Sequence, residues 1–159
     1  MRFATRAVHA GQHSDNPFRP LSTPIYQSAT FEWQDFDTEA VPMYTRYGNP
    51  TRTATEQTLS AIEGSSDALH LSSGMAAIAT VCSILRPGDH VLCTRDVYGG
   101  THKLLSKYIT EYGIDVTYAD ACNIDAFASE LRESTRLVWL ESPTNPTIRV
   151  VDLRACAKF

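Results

Sequence analysis

No stretch of this sequence is both strongly apolar and long. The longest apolar run, residues 76–85, is about half of a membrane span. The opening Met1-Arg2-Phe3-Ala4-Thr5-Arg6 lacks the apolar centre of an export signal, so a soluble, cytoplasmic protein is expected. Runs of Lys and Arg are missing as well, and the net charge is −4. A general binder of nucleic acid or of an anionic membrane is therefore not expected, since nothing releases counterions from a phosphate backbone. Cysteine is sparse: Cys82, Cys93, Cys122 and Cys156 form no C-x-x-C pair and have no His at zinc-ligand spacing. Neither a metal site nor a disulfide framework is indicated, and reduced thiols fit a cytoplasmic compartment. What is present is ordinary for a globular domain, with 43% hydrophobic and 20% charged residues over 159 positions, enough for a core.

Residues 1–50 form an arm with no sustained helical or strand period. Pro17, Pro20, Pro24, Pro42 and Pro50 each remove a backbone donor and restrain the preceding residue, which predicts extended loops. Ile25, Tyr26, Phe31, Trp33 and Phe36 are apolar groups without a helix of their own. Two readings stand side by side: the arm packs on its own chain, or it embraces a neighbouring subunit.

From Asn49 the texture changes. Asn49 can cap a helix, Pro50 suits its first position, Leu59 and Ile62 share a face, and Gly64 ends it. Segments of strand and helix character then alternate: strand-like at 68–71, 91–94, 114–118 and 137–140, helical at 76–85, 101–112 and 124–132. In the helix at 101–112, Leu104, Leu105, Tyr108, Ile109 and Tyr112 are expected on one face, with Gly113 as the stop. Such alternation implies βαβ units and a mostly parallel sheet, whose ligand site lies beyond the carboxyl ends of the strands. That rule selects residues 72–75, 95–100 and 141–146.

At Ser73-Gly74-Met75 a turn of small residues opens an apolar helix, so unpaired N–H groups and the positive end of a helix dipole meet where an anion can approach. The plain alternative is an ordinary small-residue cap. In Val97-Tyr98-Gly99-Gly100-Thr101 an aromatic side chain sits beside two glycines, either facing a ligand or capping the core from a turn. Glu141-Ser142-Pro143-Thr144-Asn145-Pro146 carries a carboxylate and an amide on a loop stiffened by two prolines, unless Asn145 merely bonds its own backbone in a rigid turn. Tyr44 and Arg46, two apart, would point the same way in an extended segment and suit a phosphate; a solvated Arg beside a packed Tyr is the alternative.

Taken together, these motifs resemble the pyridoxal-phosphate enzymes of cysteine and methionine metabolism. This transsulfuration family includes cystathionine γ-synthase, cystathionine γ- and β-lyases, methionine γ-lyase and O-acetylhomoserine sulfhydrylase. Further matching stretches are Thr5-Arg6-Ala7-Val8-His9-Ala10-Gly11, Pro24-Ile25-Tyr26-Gln27, Tyr44-Thr45-Arg46-Tyr47-Gly48-Asn49-Pro50-Thr51-Arg52 and Pro87-Gly88-Asp89-His90-Val91. The resemblance spans nearly the whole chain. It implies an α/β, aspartate-aminotransferase-like fold (fold type I), with residues 1–50 as an inter-subunit arm and 51–159 as the first part of the cofactor-binding large domain. It also implies pyridoxal 5′-phosphate as cofactor, with its phosphate on the backbone amides of Gly74 and Met75. Tyr98 would stack on the pyridine ring and assist proton transfer, and Asn145 would bond the ring oxygen. Tyr44 and Arg46 would serve the phosphate in a neighbouring subunit, within a homo-oligomer built as a dimer of dimers.

One departure counters these matches. The family's Schiff-base lysine, and the aspartate that pairs with the pyridine nitrogen, lie downstream of the Asn-Pro loop. Lys103, Lys107 and Lys158 are the only lysines here, and none stands in that motif. The expectation is therefore an N-terminal portion of a transsulfuration enzyme, inactive alone. The amino-acid substrate of the complete enzyme would lose or exchange a sulfur or oxygen substituent, with γ-synthase or γ-lyase chemistry favoured. The competing expectations are a non-catalytic remnant or assembly partner of a full-length paralogue, and a free-standing phosphate-binding module.

Overall fold

The computed structural model describes residues 2–12, 18, 20–33, 35–36 and 44–159. Pro17 and Pro42 lie outside the described residues. The chain forms two compact units, Met1–Leu71 and Ser72–Phe159.

In the first unit, helix α1 (Phe3–His9) stands where the sequence suggested only extended loop. Seven residues are too few for a helix to persist alone, so its neighbours must supply the stability. Helix α2 (Pro50–Glu63) supplies them: Arg6 Nη1 donates to the Ala61 carbonyl at 2.8 Å, and Thr58 Oγ1 donates to that of Ala10 at 2.7 Å. Gly11 closes the turn after α1 at φ 72°, and a Cβ there would overlap the Ala54 carbonyl oxygen. Helix α2 begins and ends as its sequence predicts. Asn49 Oδ1 accepts from Thr51 N–H at 2.9 Å, Pro50 takes the first position, and Gly64 turns left-handed at φ 72°. The Asn49 amide also donates to the Tyr26 carbonyl and to Thr45 Oγ1, both at 3.0 Å, which stitches part of the arm to the start of α2. Ile25 and Phe36 remain exposed.

The expected strand at 68–71 does not form a ladder. His70 N–H donates instead to Glu56 Oε1 at 3.0 Å, and no neighbouring strand pairs with this segment among the described residues. A strand is stabilised by its partner, and its sequence alone does not supply one.

The second unit is a three-stranded parallel sheet in the order β2-β1-β3, made of β1 (His90–Thr94), β2 (Asp115–Ala119) and β3 (Thr135–Trp139). Every residue of the central strand β1 is buried, as a strand covered on both faces requires. Its alternation divides the core: Val91 and Cys93 join Cys82, Val97, Leu105 and Ile114 on one face, and Leu92 joins Ala119, Ala121, Phe127, Val151 and Cys156 on the other. Helices α3 (Gly74–Cys82), α4 (Gly99–Lys103), α5 (Ile124–Ala128) and α6 (Leu153–Cys156) complete the unit. Both connections join parallel strands, so the loops after β1, β2 and β3 emerge on one edge of the sheet.

The helix expected at 101–112 is not uniform. After α4 the backbone widens to a π-helix over Leu104–Ile109 and tightens to a 3-10 turn over Thr110–Tyr112. Widening advances the phase of later side chains, so Leu105 is buried while Tyr108 and Tyr112 are exposed instead of sharing its face. Gly113 still ends the segment, at φ 76°.

Buried His90, the first residue of β1, bridges all three strands. Its Nδ1 lies 2.8 Å from Thr135 Oγ1 and its Nε2 lies 2.9 Å from Thr117 Oγ1. Two hydroxyls, each able to donate or accept, satisfy a neutral ring. Burial, reinforced by Arg132, lowers the pKa of this imidazole against the opposing pull of Asp115 and Glu130.

Candidate functional site

The site begins at the first turn of α3. Ser73 is extended (φ −162°, ψ 161°), and its Oγ accepts from Ala76 N–H at 3.1 Å. The Ala77 N–H bonds the Ser73 carbonyl at 3.0 Å. The helix ladder makes no use of the N–H groups of Gly74 and Met75, which face outward with the positive end of the dipole. Nothing lies within 4 Å of the place a Gly74 Cβ would take, so the space beside this turn is open.

Tyr98 stands next to that turn. It precedes α4, its side chain is half-exposed, and it is joined to α3 through Gly100. A Cβ on Gly100 would come 2.5 Å from Tyr98 Cε1 and 2.7 Å from Met75 Sδ, so the missing side chain is what lets ring and thioether close over this position. Gly99, by contrast, borders open space. Of the two glycines after Tyr98, the second therefore has the packing role.

The loop after β3 is fastened to the Tyr98 loop at two points. Glu141 Oε2 accepts from Tyr98 N–H at 2.8 Å, while its Oε1 accepts from Thr101 Oγ1 at 3.1 Å and Trp139 Nε1 at 3.4 Å. Farther along, Thr147 Oγ1 donates to Asp96 Oδ2 at 2.9 Å, and Arg149 bridges Asp96 (3.6 Å) and Asp120 (2.8 Å). The hydrogen bond from Arg149 is the chief cause holding Asp120 below the usual carboxylate range. Buried Thr144 braces the loop from within: its Oγ1 accepts from Arg149 N–H at 2.9 Å, and its N–H donates to the Arg149 carbonyl at 2.9 Å. The Ser142-Pro143 and Asn145-Pro146 peptide bonds are cis, and Asn145 is exposed on the same edge as Tyr98.

The structure thus brings Gly74, Met75 and Tyr98 together and ties the loop bearing Asn145 to them. Tyr44 and Arg46 belong to the first unit. They lie in a turn, closed by the N–H groups of Tyr47 and Gly48 on the Tyr44 carbonyl at 2.9 and 3.1 Å, and not in the extended segment their spacing suggested. The Arg46 guanidinium nevertheless lies over the Tyr44 ring, 5.2 Å from its centroid, and Tyr44 forms an antiparallel bridge with Thr30. That Glu141, Asp96 and Arg149 fasten the loops is not legible from local sequence, because their partners are tens of residues away. Among the described residues, no three or more His, Cys, Asp or Glu side chains gather as a metal ion would require.

A parallel α/β sheet with a small-residue helix start and an aromatic residue at its carboxyl edge has the arrangement in which open α/β domains receive a ligand. Residues 4–159 match the Cys/Met metabolism PLP-dependent enzyme family, and the chain belongs to that family. It is 38% identical over 156 residues to a probable cystathionine gamma-synthase of Herpetosiphon aurantiacus, covering 98% of this chain and 49% of that protein. It is also 38% identical over 155 residues to cystathionine beta-lyase MetC of Bacillus subtilis, covering 98% of this chain and 40% of that protein. The crystal structure of metB from Corynebacterium glutamicum superposes with a TM-score of 0.94 at 38% identity, covering 99% of this chain and 42% of that one. Cystathionine gamma-lyase from Lactobacillus plantarum, complexed with L-serine, gives a TM-score of 0.92 at 35% identity over 99% of this chain and 41% of that one. The chain thus has the fold of these enzymes and spans less than half the length of the curated relatives it matches.

Pyridoxal phosphate is the cofactor of this family, and the residues present suit it. The unblocked Gly74 approach and the free first-turn amides match a phosphate, and the half-exposed Tyr98 ring beside them matches a flat heterocycle.

Proposed function

We propose that this chain is the N-terminal, cofactor-receiving portion of an enzyme that eliminates or replaces a sulfur or oxygen substituent on an amino acid, with cystathionine or an O-acylhomoserine as substrate and γ-synthase or γ-lyase chemistry favoured. When bound, pyridoxal phosphate supplies the electron sink for breaking bonds at the substrate's Cα. The chain's own residues bind and orient. The amides of Gly74 and Met75 hold the phosphate. Tyr98 covers one face of the ring, excludes water there, and holds a phenolic proton near the reacting atoms. Asn145 donates its amide to the ring oxygen.

Residues 1–50 form an arm that carries Tyr44 and Arg46 to the phosphate in a neighbouring subunit, and residues 51–159 begin the large domain. The assembly is a homotetramer of paired dimers in the cytoplasm. Exposed Ile25 and Phe36 support an arm with a partner surface. Lys103, Lys107 and Lys158 are exposed, and we assign none of them the covalent link to the cofactor, so these 159 residues bind without turning over.

The observation that carries the reading is the meeting of Met75 and Tyr98 at Gly100, which sets an aromatic face beside an open helix start. Titration with pyridoxal phosphate and with pyridoxal, followed by absorbance, tests it. Binding at least about tenfold tighter for the phosphorylated form is expected, a difference of ~1.4 kcal/mol. Equal binding would remove the phosphate from this site.

A further inference from the structure

Thr101 and Trp139 crowd a carboxylate that the proposed chemistry leaves idle. Glu141 follows β3, half-buried, and collects three donors: the Tyr98 N–H and Thr101 hydroxyl of the loop and helix after β1, and the Trp139 indole from its own strand. Thr101 is fully buried, so its hydroxyl needs a partner inside the protein, and Glu141 provides one. The acceptor work is divided between both carboxylate oxygens. A glutamine could not reproduce it, because its NH2 would face either the Tyr98 N–H or the pair of donors on Oε1.

These bonds reach Tyr98 through its backbone and leave its ring free. Gly100 and Met75 set where the ring rests, and Glu141 sets where the chain carrying it stands. We propose that Glu141 is a positioning residue: it holds the Tyr98 loop so that the ring meets the cofactor, and acts on cofactor binding through Tyr98. The inference rests on Tyr98 covering the ring, as read above.

A double-mutant cycle in the pyridoxal-phosphate holoprotein tests both readings and separates them. The dissociation constant for pyridoxal phosphate and the visible circular dichroism of the bound cofactor are measured for Glu141→Gln, Tyr98→Ala and the double variant. Glu141→Gln is expected to weaken binding about tenfold and to diminish the dichroism in the native background, with little effect once Tyr98 is alanine. Equal losses in both backgrounds, or no loss from Glu141→Gln, overturn the positioning role and leave the Tyr98 reading intact. If Tyr98→Ala changes neither readout, the Tyr98 reading itself fails. Glu141→Asp keeps the charge but is too short to serve both loops, and it gives the same cycle should Glu141→Gln not fold.

Discussion

Tyr98 and Gly100 are matched in shape: the phenol ring lies where a Gly100 side chain would be, with the ideal Cβ position 2.5 Å from Cε1. Alanine at Gly100 would displace the ring and the Met75 thioether. Both are side-chain ends that can give way, so Gly100→Ala is expected to cost only about 1 kcal/mol of stability. Its larger effect falls on the cofactor, with affinity for pyridoxal phosphate down about tenfold. Urea unfolding and cofactor titration of one preparation measure the two effects separately.

Gly74 gives the opposite dissociation of stability from binding. Its Cβ position is open, so Gly74→Ala should hold or raise stability, by up to about 1 kcal/mol through helix propensity. The methyl group would nevertheless stand at the approach to the first-turn amides. Weaker binding of pyridoxal phosphate with an unchanged or higher unfolding midpoint is the expected result. Unchanged binding would argue that no phosphate sits there.

His90 carries a pH dependence whose sign follows from its lowered pKa. Its neutral ring is the form that fits between Thr117 and Thr135, with Arg132, Asp115 and Glu130 the charges around it. Its contribution is fully present above the ordinary value of 6.5 and is lost as pH falls toward the lowered folded value. The urea midpoint should therefore fall on acidification from neutrality. That part of the slope should be missing from His90→Gln, as unfolding curves at a series of pH values would reveal.

The legible parts of this fold are those that local chemistry decides. Asn49, Pro50 and Gly64 mark both ends of α2 because cap, first position and left-handed stop are local events. The two-residue alternation of β1 divides the core between its faces for the same reason. Residues 68–71 read as a strand from composition, yet their backbone pairs with no strand among the described residues, because pairing is a tertiary property. Helix α1 is illegible for the converse reason: its support comes from Arg6 reaching to α2 and from Thr58 of α2 reaching to Ala10 at its end. The site divides in the same way. The helix start at Ser73, the aromatic Tyr98 and the Glu141 carboxylate stand out in sequence, whereas the bond between the last two, 43 residues apart, does not.

The cysteines offer a check on packing. All four are free thiols, and only Cys122 is exposed. Burial pushes the Cys93 thiol up to about 12, with nearby Glu141 adding to the shift. Since the thiolate is the reactive form, a thiol reagent at neutral pH should label Cys122 alone in the folded protein and all four in denaturant. Rapid native labelling of Cys93 would contradict the packing of β1.

In the proposed function, the helix start at Gly74 and Met75 receives the cofactor phosphate while Tyr98 faces the ring. A crystal structure of the holoprotein with pyridoxal phosphate tests it most directly. Phosphate oxygens within hydrogen-bond distance, about 2.7–3.2 Å, of the Gly74 and Met75 nitrogens, with the Tyr98 ring stacked on the pyridine, are the predicted result. A phosphate bound elsewhere, or a Tyr98 ring turned away from the cofactor, would contradict the account.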